Sequence, residues 1–144
     1  MLKDAPVDPR GPRFIASATS AVLVLVLLTG WWPVLAVQTL IFAASGFGSL
    51  GLNPWGRLFR VLVAPRLTPT TEREDAAPLR FAQGVGSVFA LVGTVGYATG
   101  STGVGVVATS FALVAALLNA AFNFCLGCEM YLLLRRFAPA LVRQ

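Results

Sequence analysis

The sequence predicts an all-α membrane protein with four transmembrane helices, arranged as two parallel repeated helical hairpins that are each followed by a short interfacial helix. The first reason is composition, because 56% of the 144 residues are hydrophobic and 12% are charged, about half the charged fraction of a soluble domain. The second is that four long apolar stretches alternate with short polar or Gly/Pro-rich breaks. The third is the uneven placement of the basic residues.

Basic residues occur only before the first apolar stretch, between the second and third, and after the fourth. They are Lys3, Arg10, Arg13, Arg57, Arg60, Arg66, Arg73, Arg80, Arg135, Arg136 and Arg143. The positive-inside rule therefore predicts that both termini and the central loop are cytoplasmic. The net charge of +5 is then explained by the orientation of the chain in the membrane and by contact with anionic headgroups of the lipid bilayer. Nucleic acid is therefore not an expected partner.

The whole chain is predicted to form a single membrane domain, 1–144, built from two similar units. The first repeat is 7–64, with spans at about 14–29 and 34–52 and an interfacial helix at 55–64; a loop follows at 65–78; the second repeat is 79–141, with spans at about 80–99 and 104–126 and an interfacial tail at 129–141. These stretches are close to the roughly 20 apolar residues that a membrane helix needs.

The first hairpin is bounded by residues that suit the ends of membrane helices. Trp31 and Trp32 fit the interfacial depth after the first span, and Pro33 suits the first turn of the second. Because apolar sequence resumes directly after Pro33, the first span is predicted to be retained rather than cleaved as a signal peptide. Asn53 and Pro54 predict the N-cap and first residue of the interfacial helix.

The second hairpin differs from the first in its small residues. Glycines recur in and after the third span at helical spacing and predict a nearly bare stripe that another helix can approach closely. Alanines and asparagines between Ala108 and Asn123 form one small and polar face of the fourth span. We expect the fourth helix to be the most enclosed and to meet the glycine stripe, and such faces also favour a homodimer. The glycines are Gly86, Gly93, Gly96, Gly100 and Gly103.

The two halves of the chain align with each other. A shift of 67 residues places Arg13 on Arg80 and Phe14 on Phe81, and a shift of 76 places Leu50-Gly51 on Leu126-Gly127. Each unit has an even number of spans, so both copies start on the same side of the membrane. The repeats are therefore predicted to be parallel, about an axis along the membrane normal.

Both cysteines of the chain, Cys125 and Cys128, form a CxxC at the predicted cytoplasmic end of the fourth span. If the helix breaks near Gly127, Cys128 lies at a helix N-terminus, where the thiolate is favoured and disulfide exchange is fast. Glu129 opposes this by charge repulsion. If the helix continues unbroken, the cysteines lie at i and i+3 without that activation. The sequence leaves both arrangements open.

Three interpretations of this CxxC remain. The first is thiol–disulfide or persulfide exchange with a cytosolic protein, because a purely structural disulfide is not expected in the reducing cytoplasm. The second is a zinc site shared by two chains, since two cysteines and one nearby carboxylate fall short of four ligands and no metal is expected within one chain. The third is that the cysteines only pack as small hydrophobes. The chain has no histidine and no phosphate-binding glycine loop, so no cofactor is expected.

Amide side chains are the other polar groups within the predicted spans. Asn119 and Asn123 lie at i and i+4 on the enclosed face of the fourth span. Gln38 and Gln83 are candidates to form hydrogen bonds with them across the bundle. Polar groups within a membrane mark either a binding site or interhelical hydrogen bonds. Both uses stay open for these four residues.

Three stretches resemble a known bacterial family. They are Val7-Asp8-Pro9-Arg10-Gly11-Pro12-Arg13-Phe14, Arg80-Phe81-Ala82-Gln83, and Asn119-Ala120-Ala121-Phe122 followed by Cys125-Leu126-Gly127-Cys128-Glu129. They are similar to the integral membrane family called domain of unknown function 4395, common in actinobacteria, over nearly the whole chain. The resemblance implies a four-span fold in the bacterial inner membrane and no established activity or catalytic residues. It also implies an association with thioredoxin-like or rhodanese-like proteins, which favours the thiol interpretation.

Two hypotheses of function follow, and the sequence leaves open whether the chain is an enzyme. In the first, an inner-membrane protein relays electrons or sulfane sulfur through Cys125 and Cys128 to a soluble cytosolic partner, with Asn123 and Glu129 tuning the pair. In the second, the chain is a non-enzymatic membrane subunit that transports a small sulfur species or anchors an assembly, and the cysteines only pack. Thiol reactivity separates the two.

Overall fold

The computed structural model describes residues 10–68, 76–122 and 124–137, and every regular element in these ranges is helical. The elements are α1 (Arg10–Thr29), α2 (Trp32–Ala43, continued by a π-helical turn at Ala44–Gly48), a 3-10 turn at Leu50–Leu52, α3 (Pro54–Leu58, continued by a π-helical turn at Phe59–Val63 and a 3-10 turn at Ala64–Arg66), α4 (Ala76–Ala98), α5 (Thr102–Phe122) and α6 (Leu126–Phe137). Three of these helices, α1, α4 and α5, are long and apolar enough to cross a membrane. The chain thus has the helices of a membrane protein.

The helix boundaries differ from the predicted ones mainly in the second hairpin. Helix α5 ends at Phe122 and α6 begins at Leu126, whereas the sequence predicted one span to residue 126 and a separate tail from 129. In the first hairpin, the predicted cap is confirmed: the Asn53 side chain accepts hydrogen bonds from the backbone N–H groups of Trp55 and Gly56, with Pro54 as the first helical residue. This cap starts α3 where the sequence placed the interfacial helix.

Helix α1 packs against α5, α2 packs against α4, and α4 packs against α5. Their shared core contains buried residues from all four helices, namely Leu23, Val26, Leu35, Phe42, Ala90 and Ala112. Over the most apolar 18 residues of each helix, the buried share is 33% in α1 and 22% in both α4 and α5. The expectation that the fourth span is the most enclosed is therefore wrong, because α5 turns an open face of large side chains outward, including Phe111, Val114 and Leu117.

Two glycine turns close one end of the bundle. Gly30 has φ 68° and Gly100 has φ 88°, a left-handed conformation that residues with a Cβ rarely adopt. Each ends a long helix, and the N–H of Gly30 donates to the carbonyl of Val26 at 2.6 Å. These turns lie between α1 and α2 and between α4 and α5, so the other connections and the described chain ends lie at the opposite end.

Arginine side chains hold the opposite end together across the two hairpins. At the start of α1, Arg13 donates to the carbonyl of Ala120 near the end of α5, at 3.2 Å. At the start of α4, Arg80 donates to the carbonyl of Gly48 at the end of the α2 π turn, at 2.7 Å. Carbonyls in the last helical turn lack an intrahelical partner, so each arginine satisfies a helix end that belongs to the other hairpin.

The glycine stripe of α4 is divided between two neighbours. A Cβ on Gly96 would lie 2.6 Å from the backbone nitrogen of Gly105 on α5, so these two helices meet backbone to backbone, as predicted. A Cβ on Gly86 would instead meet the ring of Phe42 on α2 at 3.0 Å. The stripe therefore lets α4 approach both α2 and α5.

Replacing Gly96 by alanine is expected to lower the free energy of unfolding by about 1–3 kcal/mol, because the added methyl group can be accommodated only by a backbone shift. Thermal unfolding of the detergent-solubilised protein measures the change. Gly103→Ala is the matched control, since a Cβ there meets nothing within 4 Å. Equal destabilisation by both substitutions would contradict the close approach of α4 and α5.

Candidate functional site

The two cysteines lie where the chain leaves α5 and enters α6. Cys125 directly precedes α6 and Cys128 is in its first turn, and a disulfide joins them, with the Cα atoms 5.1 Å apart. The backbone N–H of Cys128 donates to Sγ of Cys125 at 3.1 Å. The N–H of Glu129 donates to the carbonyl of Cys125 at 3.0 Å. Cys125 therefore occupies the N-cap position of α6, and its sulfur accepts a hydrogen bond that a helix N-terminus would otherwise leave unmade.

This arrangement decides between the two that the sequence left open. The helix is broken, and the break lies before Leu126 rather than at Leu126-Gly127, where the repeat placed it. Cys125 is consequently at the helix N-terminus itself, and Cys128 is in the first turn. Glu129 is exposed in the first turn of α6, where a negative charge is favourable to the helix dipole.

Helix α6 is held against the start of α4 by a close contact and a ring pair. A Cβ on Gly127 would lie 2.6 Å from Cα of Ala82, so only glycine allows this approach. One turn later, the buried ring of Tyr131 packs against Phe81, with the centroids 5.7 Å apart. The disulfide is therefore positioned by α4 as well as by its own helix.

A buried group of amides lies at the start of α3. Asn53 is 1% exposed, and its Nδ2 donates to Oε1 of Gln83 at 3.5 Å. Nε1 of Trp55 donates to Oε1 of Gln38 at 3.4 Å, and Gln38 is also 1% exposed. Among the described residues, Gln38 thus bonds to Trp55 and Gln83 bonds to Asn53. Asn123 lies outside the described residues.

A cavity of about 630 Å³ lies among α1, α4 and α5 and the starts of α3 and α6. This volume is typical of a small-molecule site. Its wall is mainly apolar, and its polar groups include the half-buried amides of Asn119 and Gln83. Among the described residues, Cys125 is on this wall and Cys128 is not. Three of the predicted site residues, Cys125, Asn119 and Gln83, are therefore brought to one cavity.

The sequence did not reveal this cavity. Its α5 wall includes Ala112, Ala115, Ala116 and Asn119, which were interpreted as a face for close helix packing. Small side chains at helical spacing suit either use, because they allow a neighbour to approach or leave a void. The other missed group is Asn53, for which the sequence signalled a helix cap and not its bond to Gln83.

The chemistry open to this site is the interconversion of a dithiol and a disulfide. A CxxC at a helix N-terminus has a stabilised thiolate, and the thiolate is the form that attacks a disulfide. Because Cys125 and Cys128 are three residues apart, their bond links no separate elements of the fold. A disulfide contributes roughly 2–4 kcal/mol to the free energy of unfolding, and one that closes so short a loop lies at the low end of that range.

Among known proteins, the chain is similar to one protein family over nearly its whole length. No curated protein and no solved structure matches the chain. The family model for the domain of unknown function DUF4395 matches residues 7–136, which is nearly the whole sequence. The resemblance carried by the terminal and central motifs is confirmed, and this chain belongs to the DUF4395 family.

Proposed function

We propose that this chain is a four-span protein of the bacterial inner membrane whose Cys125–Cys128 pair relays electrons or sulfane sulfur to and from a soluble cytosolic protein. The observation that carries the proposal is the disulfide at the N-terminus of α6, with Sγ of Cys125 hydrogen-bonded to the N–H of Cys128. Glu129 is exposed beside the pair, where a partner protein can contact it. A thioredoxin-like or rhodanese-like protein has the complementary chemistry.

Four crossings require that α2 and its π turn also span the membrane. The segment Trp32–Gly48 is apolar and has 17 residues, which is at the short end of the range for a membrane helix. Its antiparallel packing against α4 supports a full crossing. The described arginines, which are Arg10, Arg13, Arg57, Arg60, Arg66, Arg80, Arg135 and Arg136, belong to elements at the end opposite the glycine turns, and the positive-inside rule makes that end cytoplasmic.

Two parallel repeats are supported by matching ring contacts. The rings of Phe14 and Phe59 lie 5.8 Å apart, and those of Phe81 and Tyr131 lie 5.7 Å apart. A shift of 67 relates Phe14 to Phe81, and a shift of 72 relates Phe59 to Tyr131. In each unit, the short helix after the second span thus packs by an aromatic ring on the start of the first span.

The arginine contacts obey the same two shifts. Arg13 and Arg80 differ by 67, and their acceptors Gly48 and Ala120 differ by 72. Each unit contributes the arginine that caps the other unit's second helix. An axis along the membrane normal would produce this exchange, and the contacts support an offset of 72 in this part of the repeat, beside the 76 inferred from the Leu-Gly pairs.

A redox role accounts for the disulfide better than packing alone. A cysteine that only fills space needs no partner within bonding distance. The bond between Cys125 and Cys128 constrains a single helical turn, so the fold gains little from it. Cytosolic disulfides in mesophiles are usually transient, and catalytic or redox-sensing.

The test is the sidedness and reactivity of the two thiols. We expect a membrane-impermeant maleimide to label Cys125 and Cys128 in inverted vesicles after reduction, and not in right-side-out vesicles. Labelling is expected to stay fast below neutral pH, because the α6 N-terminus stabilises the thiolate. Mass spectrometry of the labelled peptide measures both.

The matched control is Ser101→Cys in a background where both native cysteines are serine. Ser101 is exposed at the glycine-turn end, so this thiol is expected to label only in right-side-out vesicles. Labelling of the native pair from outside would overturn the orientation. Slow, pH-indifferent labelling after reduction would instead support the non-enzymatic subunit with packed cysteines.

A further inference from the structure

The cavity beside Cys125 adjoins a groove on the outside of the bundle. Phe89 of α4 and Phe111 of α5 lie on its wall, with the ring centroids 6.0 Å apart. The same two rings also border a second, wholly apolar groove of about 570 Å³ between α4 and α5. The groove is further lined by Val88, Val92, Val104 and Val107. Because Phe89 and Phe111 line both, the cavity and the groove adjoin, and the two together are called the path between Cys125 and the outer surface of α4 and α5.

The two parts of this path differ in chemistry. The part next to Cys125 is roomy and has the amides of Gln83 and Asn119 on its wall, which can donate hydrogen bonds to carbonyl oxygens. The groove beyond the two phenylalanines presents only apolar surface. A flat ring with carbonyl groups fits the first part, and a long hydrocarbon tail fits the second.

We propose that this path binds a membrane quinone, with the ring beside Cys125 and the isoprenoid tail between α4 and α5. The proposal rests on the proposed thiol relay and names its second, membrane-side partner. A dithiol that becomes a disulfide releases two electrons and two protons, and a quinone takes up that number in becoming a hydroquinone. An apolar carrier can reach Cys125 from the bilayer, while a soluble protein reaches the pair from the cytoplasm.

The transfer of two electrons and two protons to the quinone takes two steps. Cys125 reacts first because it lines the cavity and Cys128 does not. The Cys125 thiolate, which faces the cavity, adds to a ring carbon of the quinone and forms a C–S bond. The Cys128 thiolate then attacks Sγ of Cys125, so that the S–S bond forms and the C–S bond breaks. The electron pair of the C–S bond stays on the ring, which takes the two protons that the thiols gave up. The soluble dithiol partner reduces the disulfide again by exchange.

The experiment uses the full chain in lipid nanodiscs, reduced and then freed of reductant. Decylubiquinone and menaquinone-4 are added separately, hydroquinone is followed by absorbance, and the remaining thiols are counted by maleimide labelling. We expect one hydroquinone for each disulfide formed. Ala115→Phe, which fills the cavity from α5, is expected to slow the reaction at limiting quinone by at least about tenfold, because the ring site is lost.

Val114→Phe is the matched control, because Val114 is 53% exposed on the outer face of the same helix. It is expected to leave the quinone rate within about twofold. Val114→Phe is also expected to exchange with reduced thioredoxin at the unsubstituted rate, and thermal unfolding in detergent checks that both variants are folded.

The outcomes separate this inference from the relay on which it rests. Exchange with thioredoxin and no reaction with either quinone would overturn the quinone site and leave the relay standing. The quinone site is also overturned if Ala115→Phe and Val114→Phe react equally fast, or if phospholipid occupies the path and neither quinone displaces it. Failure to exchange with any thiol would overturn the relay and the quinone site together.

Discussion

Replacing either cysteine by serine is expected to abolish turnover between a reduced soluble dithiol and a quinone, by at least about 10³-fold. The relay requires the S–S bond between Cys125 and Cys128 to form and break in each cycle. Neither single thiol can do this. The double substitution is expected to be no worse than either single one, because residues that act as a unit give strongly non-additive losses.

The two single variants are expected to stop at different steps. Cys128→Ser keeps the sulfur on the cavity wall, so it should still consume one quinone per chain as a covalent adduct. Cys125→Ser keeps the thiol in the first turn of α6, so its thiolate should attack the disulfide of the oxidised soluble partner and hold it as a mixed disulfide, with the other partner sulfur leaving as a thiolate. Mass spectrometry and non-reducing gels distinguish the two products.

Stability is the control for both cysteine substitutions. Loss of the short disulfide loop is expected to cost no more than about 2 kcal/mol, so thermal unfolding in detergent should show a folded protein. Turnover that persists in either single variant would contradict the paired role of the sulfurs. An unfolded variant would show that the bond is structural.

Arg80→Ala is expected to cause the largest loss of stability among single substitutions at the arginine-bearing end. Arg80 is 3% exposed and donates to the carbonyl of Gly48 at 2.7 Å. Without the guanidinium, the carbonyl of the half-buried Gly48 loses its charged donor at a helix end. The expected loss is about 2–3 kcal/mol, as for hydrogen bonds from charged groups. Thermal or denaturant unfolding in detergent micelles measures it.

Two further substitutions separate the effect of burial from the effect of the planar guanidinium group. Arg13→Ala removes the equivalent bond to Ala120, but Arg13 is exposed and its bond is 3.2 Å long, so the loss should be smaller than for Arg80→Ala. Arg80→Lys keeps the charge and loses the planar fork, so it should restore stability only in part. Equal losses of stability for Arg13→Ala and Arg80→Ala would show that burial does not determine how much each hydrogen bond stabilises the protein.

The sequence predicted features that depend on local pattern or on overall charge. The helical membrane class followed from composition, and the cap of α3 followed from Asn53-Pro54 because that signal needs only adjacent residues. The family followed from motifs spread over nearly the whole chain. Each of these signals lies either in adjacent residues or in the sequence as a whole, so none requires knowledge of how distant segments meet.

Features that depend on how distant segments meet were not predictable in the same way. The bond between Asn53 and Gln83 joins residues thirty apart, and no periodicity signals it. Ala115 and Asn119 have the spacing of a packing face, and only the path of α1 and α6 turns them into a cavity wall. The break before Leu126 was misplaced because it was inferred from matching Leu-Gly pairs in the two halves, and the helix begins at Leu126 itself.

The exchange of arginines between hairpins has a consequence for biosynthesis. When the ribosome has made only the first hairpin, the carbonyl of Gly48 has no Arg80 to bind, since that side chain is thirty-two residues further along the chain. In turn, Arg13 must wait for Ala120. In a nascent chain that stops after the first hairpin, the helix end at Gly48 therefore has water as its hydrogen-bond donor until translation delivers the second half.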